Sequence, residues 1–240
     1  MLAAARVSTF VGERGATNAS GFFFQRDDGL YLVTSRHVLI DKPTGHFPDR
    51  LEIELHLDAH ELSRSVNFSI PLYENGRSVW REGRDSAGDI DVAVLPLDRT
   101  KLHADVAIRA FTPQHLQLRF EDVGVGQPLL VVGFPLGFHD TVYHLPVVRQ
   151  AIAASPYGVR FQGQGLFLTD ARTHRGTSGA PVVMRDTEAS AAGALLPWKL
   201  LGVHSASMDM GNRDLQLDES LGLNCAWYAD ILLTLTEAPK

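Results

Sequence analysis

Three short stretches carry side chains that could do covalent chemistry together. Leu32-Val33-Thr34-Ser35-Arg36-His37-Val38 runs an apolar strand into a turn that ends in histidine. Asp89-Ile90-Asp91-Val92-Ala93-Val94-Leu95 sets acidic residues at the mouth of another apolar strand, and Gly176-Thr177-Ser178-Gly179-Ala180-Pro181 puts a serine in a glycine turn that leads into a third. A serine hydroxyl is a weak nucleophile at neutral pH. It needs a base within hydrogen-bond reach, and that base needs a carboxylate to fix its tautomer and stabilise the imidazolium. His37, one of Asp89 and Asp91, and Ser178 can fill these roles. Gly176 offers something different: with no side chain, its backbone N–H can point, together with that of Ser178, at a developing oxyanion. The chemistry implied is acyl transfer through a covalent intermediate.

Two other patterns carry less. His56 and His60 lie four apart with Asp58 and Glu61 close by, which would put two imidazoles on one face of a helix. Leu51 to Leu57 alternates as a strand instead, so both histidines are expected to be exposed, and no metal site is expected. Gly124-Val125-Gly126 is too short for a phosphate loop and reads as a turn before a strand.

The elements that must position these residues read as strands. Residues 21–24, 30–34, 51–57, 91–97, 128–134, 159–162, 165–169, 180–184 and 199–204 are short, rich in Val, Ile, Phe and Leu, and punctuated by Gly, Pro, Asp and Asn. Only two stretches look helical: 114–118, with Thr112 as N-cap and Pro113 in the first turn, and a terminal helix capped by Asn224 and running through Trp227, Ile231, Leu232 and Leu235. Residues 189–196 read as a small-residue surface loop. A polar stretch over 98–126 divides the chain into halves, 1–110 carrying His37 and Asp91 and 111–240 carrying Ser178. An all-β, two-lobed architecture is expected.

Composition excludes several classes. The chain has 240 residues and a formal net charge of −6, with no lysine- or arginine-rich run, so nucleic acid is not expected as a partner. Its 45% hydrophobic and 21% charged residues fit a folded globular chain. Cys225 is the single cysteine, which rules out an intrachain disulfide and a thiolate zinc site. No stretch has the length of a membrane span, and the first residues reach Arg6 and Ser8 before completing an apolar signal core. A cytoplasmic protein without membrane attachment and without a cofactor is expected.

The three chemical motifs, in the order His, Asp, Ser, resemble the trypsin-like (chymotrypsin-fold) serine peptidases, and within them the bacterial HtrA-like and glutamyl-endopeptidase-like branches. Further stretches carry the likeness along most of the chain: Ala19-Ser20-Gly21-Phe22, Val131-Val132-Gly133-Phe134-Pro135, Leu201-Gly202-Val203-His204-Ser205, and Gly222 to Ile231. The resemblance implies two packed six-stranded antiparallel β-barrels with a short C-terminal helix and the active site between them. It also implies a triad of His37, Asp91 and Ser178, since the family's acid directly precedes an apolar run like Val92 to Leu95, with Gly176 and Ser178 supplying the oxyanion hole.

Departures from the family bear on regulation and specificity. The position before the nucleophile is Thr177, not the aspartate that pairs with a new N-terminus in the secreted digestive enzymes, so a preformed hole or one arranged by an activating partner protein is expected. Only Ala238 to Lys240 follow the last expected helix, and no PDZ module of the HtrA kind is expected. By resemblance, Arg172, Thr173, His204, Ser205, Ala206 and Ser207 line the pocket for the substrate residue before the scissile bond. An arginine and a hydrogen-bonding histidine suit a carboxylate, which implies a protein or peptide substrate cut after Glu, or less readily after Gln or Asp. The rival expectation is a protease-fold binding or regulatory module that is silent or partner-activated.

Overall fold

A computed structural model describes residues 1–207 and 222–238. The first lobe is a seven-stranded antiparallel sheet. Its strands, in chain order, are β1 (Ala4–Val11), β2 (Arg14–Arg26), β3 (Gly29–Thr34), β4 (Arg50–His56), β5 (Ser65–Pro71), β8 (Arg81–Asp85) and β9 (Gly88–Leu97), with a small hairpin of β6 (Tyr73–Glu74) and β7 (Arg77–Ser78) between β5 and β8. They pair in the order β5-β4-β1-β2-β3-β9-β8. The second lobe is a closed six-stranded barrel of β10 (Pro128–Gly133), β11 (Val147–Ala153), β12 (Leu166–Asp170), β13 (Pro181–Arg185), β14 (Trp198–Ser207) and β15 (Leu223–Tyr228). The α-helices among the described residues are short: α1 (Arg36–Leu39), α2 (Thr187–Ala191) and α3 (Ile231–Leu235).

Side chains alternate along a strand, and here both faces of the central strands find apolar partners. Phe23, Leu32, Ala93 and Leu95 point into the first lobe's core with Leu51 and Ile53. Their neighbours Phe22, Phe24, Val33, Val92 and Val94 point the other way, against Leu166, Leu168, Leu200, Val203 and Trp227 of the second lobe. The second lobe repeats the pattern, with Phe167, Leu201 and Ala226 turned into the barrel. Each buried Phe, Leu or Val contributes about 1.5–3 kcal/mol, so the seam is a true core that fixes how the strands bearing the candidate site residues meet.

Several local expectations are corrected. Residues 159–162 form no strand; Gly158 and Gln162 are left-handed (φ 85° and 51°), and a 3-10 turn runs Phe161–Gly163. The 114–118 helix is a single 3-10 turn, Pro113–His115, in which His115 Nδ1 accepts from the Thr112 amide at 3.0 Å. Asn224 caps no helix: it lies in β15, and α3 begins only at Ile231. The expected loop at 189–196 holds from 192 on, but 189–191 are the end of α2, which Asp186 caps by accepting from the Ala189 amide (2.9 Å). His56 is buried at the end of β4, its Nε2 2.7 Å from the Tyr143 carbonyl, whereas His60 is exposed in a turn. No helix among the described residues is long and apolar enough to cross a membrane.

Candidate active site

His37 sits in the single turn of α1, directly after β3 has delivered the buried Thr34 and Ser35 to the seam. Asp91 enters from the neighbouring β9, which pairs with β3 through Thr34 and Ala93. One carboxylate oxygen of Asp91 accepts from the His37 backbone N–H at 2.8 Å, and the other lies 2.7 Å from His37 Nδ1. The same carboxylate thus fixes the helical turn and the ring it carries. With Nδ1 on the carboxylate, Nε2 is the ring nitrogen left for proton transfer. Burial pulls the His37 pKa down, but the hydrogen bond and charge of Asp91, aided by Asp41, outweigh it, and the net shift is upward from 6.5. Asp89 takes no part: it is exposed and faces Arg84 (3.6 Å) and Arg36 (3.8 Å).

Ser178 occupies the turn before β13. Gly179 follows it with φ 86°, where a Cβ would overlap the Ser20 carbonyl oxygen and Thr34, and its amide donates to the His204 carbonyl at 2.7 Å. Gly176 has φ 90°, and a Cβ there would lie 2.7 Å from the Phe134 carbonyl oxygen and 2.8 Å from the Leu136 nitrogen. Both positions therefore demand glycine. Among the described residues, the amides of Gly176 and Ser178 donate to no protein acceptor, unlike those of Thr177 (to His174 O), Gly179 and Ala180 (to Thr177 O). The turn leaves two N–H groups over. The Ser178 hydroxyl donates to the Ser205 carbonyl at 2.9 Å, not to His37. His37, Ser178 and Gly176 line one open cleft of about 820 Å³, walled by Ala19, Asp41, Phe47, Leu136 and Arg175.

Two residues of this arrangement escape sequence reasoning. Ser20, fully buried on β2, accepts from the Phe134 amide (2.9 Å) and donates to the Gly176 carbonyl (2.7 Å), while its own amide donates to the Ser178 carbonyl (2.9 Å). It binds the first lobe to the serine turn on both sides of Thr177. The second is Ser205 in a new role. A break in β14–β15 register between His204 and Ser207 re-aims its side chain, and its hydroxyl donates to Asp91 at 2.5 Å. Through its hydroxyl Ser205 thus braces the carboxylate. A polar residue inside an apolar strand was the available signal for both.

The other expected pocket residues lie on the connection between β12 and β13 and on β14. Arg172 is exposed and has no ion-pair partner among the described residues. Thr173 donates to Asn224 Oδ1 at 2.5 Å. His204 is buried, and its Nδ1 has no hydrogen-bond partner among the described residues; burial, and then the charge of His37, lower its pKa to about 4, so it is neutral at pH 7. Ala206 is exposed on β14, and the Ser207 side chain lies outside the described residues.

The fold and the site together define a protein of two β-lobes with a serine, histidine and aspartate gathered at the seam. Residues 19–191 match the family described as trypsin-like peptidase domain, and the chain belongs to that family. Among solved structures it is similar to a serine endoprotease from Yersinia pestis (17% identity, TM-score 0.53, 97% of this chain and 60% of that one). It is also similar to the inactive form of the Rv3671c protease of M. tuberculosis (14% identity, TM-score 0.52, 98% of this chain and 87% of that one). These likenesses show the fold. The chain spans only three fifths of the Yersinia protein's length. No curated protein matches the sequence.

Proposed function

We propose that this protein is a serine endopeptidase that hydrolyses peptide bonds through an acyl-enzyme on Ser178. The observation that carries the reading is that the Asp91-bound imidazole of His37, the Ser178 hydroxyl and the unengaged amides of Gly176 and Ser178 share one open cleft. In this mechanism the Ser178 hydroxyl leaves the Ser205 carbonyl by rotation about Cα–Cβ and passes its proton to His37 Nε2 as Oγ attacks the scissile carbonyl. The amides of Gly176 and Ser178 hold the oxyanion, worth about 2.7–4 kcal/mol per donor. His37 then protonates the leaving amine, and a water activated by the same imidazole releases the acyl group. Asp91 stays ionised and holds the ring, with Ser205 holding Asp91 in turn. The two halves of the chain, 1–110 and 111–240, contribute the acid–base pair and the nucleophile respectively.

The preferred substrate residue before the scissile bond is Glu, ahead of Gln and Asp. Arg172, exposed and without an ion-pair partner among the described residues, supports a carboxylate; the neutral, buried His204 supports only a neutral hydrogen bond. A cytoplasmic setting agrees with the lone Cys225. One observation favours a second reading, in which a partner protein activates the site: the Ser178 hydroxyl rests on the Ser205 carbonyl and not on His37.

The test is a panel of fluorogenic peptides differing only in the residue before the cleaved bond, with Ser178→Ala alongside. Turnover fastest after Glu and lowered by roughly 10⁶ in Ser178→Ala is expected. Fastest turnover after Arg, Phe or Ala removes the acidic preference. Undiminished turnover in Ser178→Ala removes the mechanism.

A further inference from the structure

The loop between β10 and β11 reaches across to the first lobe and meets β4 there. Glu54 on β4 and His139 and His144 on the loop each offer one ligand atom, and the three atoms lie within 4.8 Å of one another. From their chemistry and setting we propose that Glu54, His139 and His144 bind a divalent transition-metal ion, zinc by preference, that clasps the loop to the first lobe.

Two imidazoles and a carboxylate are the donor set that borderline ions such as zinc take, with bonds of about 2.0–2.2 Å. His139 is prepared for it. Its Nδ1 lies 2.7 Å from the Gly137 carbonyl, to which it can only donate, so Nε2 carries the lone pair. A backbone carbonyl on the far nitrogen is the usual support of a metal-bound histidine. His144 has a left-handed backbone (φ 54°), and its Nδ1 lies 2.8 Å from Glu54 Oε1. That nitrogen is buried yet outside hydrogen-bond alignment. A histidine whose purpose is to pair with the glutamate would be aligned with it. An ion bound by both atoms needs them roughly 3.3 Å apart for tetrahedral bonds of that length, an opening of about half an ångström.

The surroundings hold the donors in place. Asp140 accepts from the Val142 and Tyr143 amides (2.9 and 2.6 Å), and its carbonyl accepts from the His144 amide (2.8 Å), so the loop is tied upon itself. His56 fastens it to β4 through the Tyr143 carbonyl. Arg6 occupies Glu54 Oε2 at 3.0 Å, which leaves Oε1 to the histidines, and Ser65 donates to Oε1 at 2.8 Å. The charges facing the site are therefore Glu54 and Asp140 against Arg6, a balance that accepts a dication. The three ligands are scattered over ninety residues of sequence, so no local spacing announces them. The loop also begins at the Pro135–Gly137 turn, where the Leu136 amide donates to the Arg175 carbonyl beside Gly176.

The experiment is a titration of the full chain, stripped with a chelator and dialysed, with zinc chloride alone by calorimetry and with cobalt(II) by visible absorption. The expected result is one equivalent bound at micromolar affinity or tighter, a four-coordinate cobalt spectrum, and a thermal midpoint raised by zinc. His139→Ala, His144→Ala and Glu54→Gln should each weaken binding at least about tenfold, while His37→Ala and His60→Ala leave it unchanged. Should a variant fail to fold, zinc must still protect His139 and His144 of the unaltered chain from diethylpyrocarbonate. No saturable binding, binding indifferent to all three variants, or no protection would overturn the proposal; the first of these would leave His144 and Glu54 as a plain ion pair.

Discussion

On the first-lobe side of the cleft, His37 is held by two hydrogen bonds to one aspartate, and that aspartate accepts a third from Ser205. On the second-lobe side, the Ser178 turn is held by its backbone, through Ser20, Gly179 and the Phe134 segment, while the hydroxyl rests on a neighbouring carbonyl. The base is thus fixed by side chains and the nucleophile by main chain. The difference is physical. An imidazole must keep one tautomer and one orientation through a whole reaction, which a carboxylate enforces. A hydroxyl must rotate, so only its platform is rigid.

Mutations on the two sides should then fail differently. Asp91→Asn keeps the hydrogen-bonding shape but offers the wrong tautomer of His37, and kcat is expected to fall by about 10⁴ with the thermal midpoint little changed; equal losses in kcat and in stability would show that the carboxylate serves the fold alone. Gly176→Ala forces a Cβ against the Phe134 carbonyl oxygen and should lower kcat by about 10²–10³ with KM for small peptides little moved. Ser20→Ala leaves the Phe134 amide and Gly176 carbonyl without their buried partner. It should cost about 1–3 kcal/mol in urea unfolding and roughly tenfold in kcat. If Ser20→Ala changes stability but not kcat, the main-chain platform is less sensitive than the contrast requires.

How far the sequence carried this account depends on the range of the interaction. The serine turn, the histidine turn and the apolar run after Asp91 are each written in a few adjacent residues, because glycine placement and strand alternation are local physics. The all-β, two-lobed architecture was legible for the same reason, in short apolar runs punctuated by Gly, Pro, Asp and Asn and divided by the polar stretch over 98–126. The bonds of Ser20 and of the Ser205 hydroxyl were not legible, because their partners, Gly176 and Asp91, lie 156 and 114 residues away. β1 escaped notice since its inward residues, Ala5, Val7 and Thr9, are small or polar and look like a tail. Residues 159–162 misled in the other direction: a short apolar run cannot declare that Gly158 and Gln162 will turn left-handed.

The central claim is that His37, held by Asp91, takes the proton of Ser178. The most direct measurement is the rate at which a fluorophosphonate modifies the protein as a function of pH, with the adduct located by peptide mass mapping. A base must be unprotonated to act, and the His37 pKa is shifted upward from 6.5. The predicted result is a single adduct on Ser178 whose formation rises with pH through one ionisation above 6.5 and collapses by orders of magnitude in His37→Ala. An adduct elsewhere, or a Ser178 rate indifferent to pH and to the loss of His37, would contradict it.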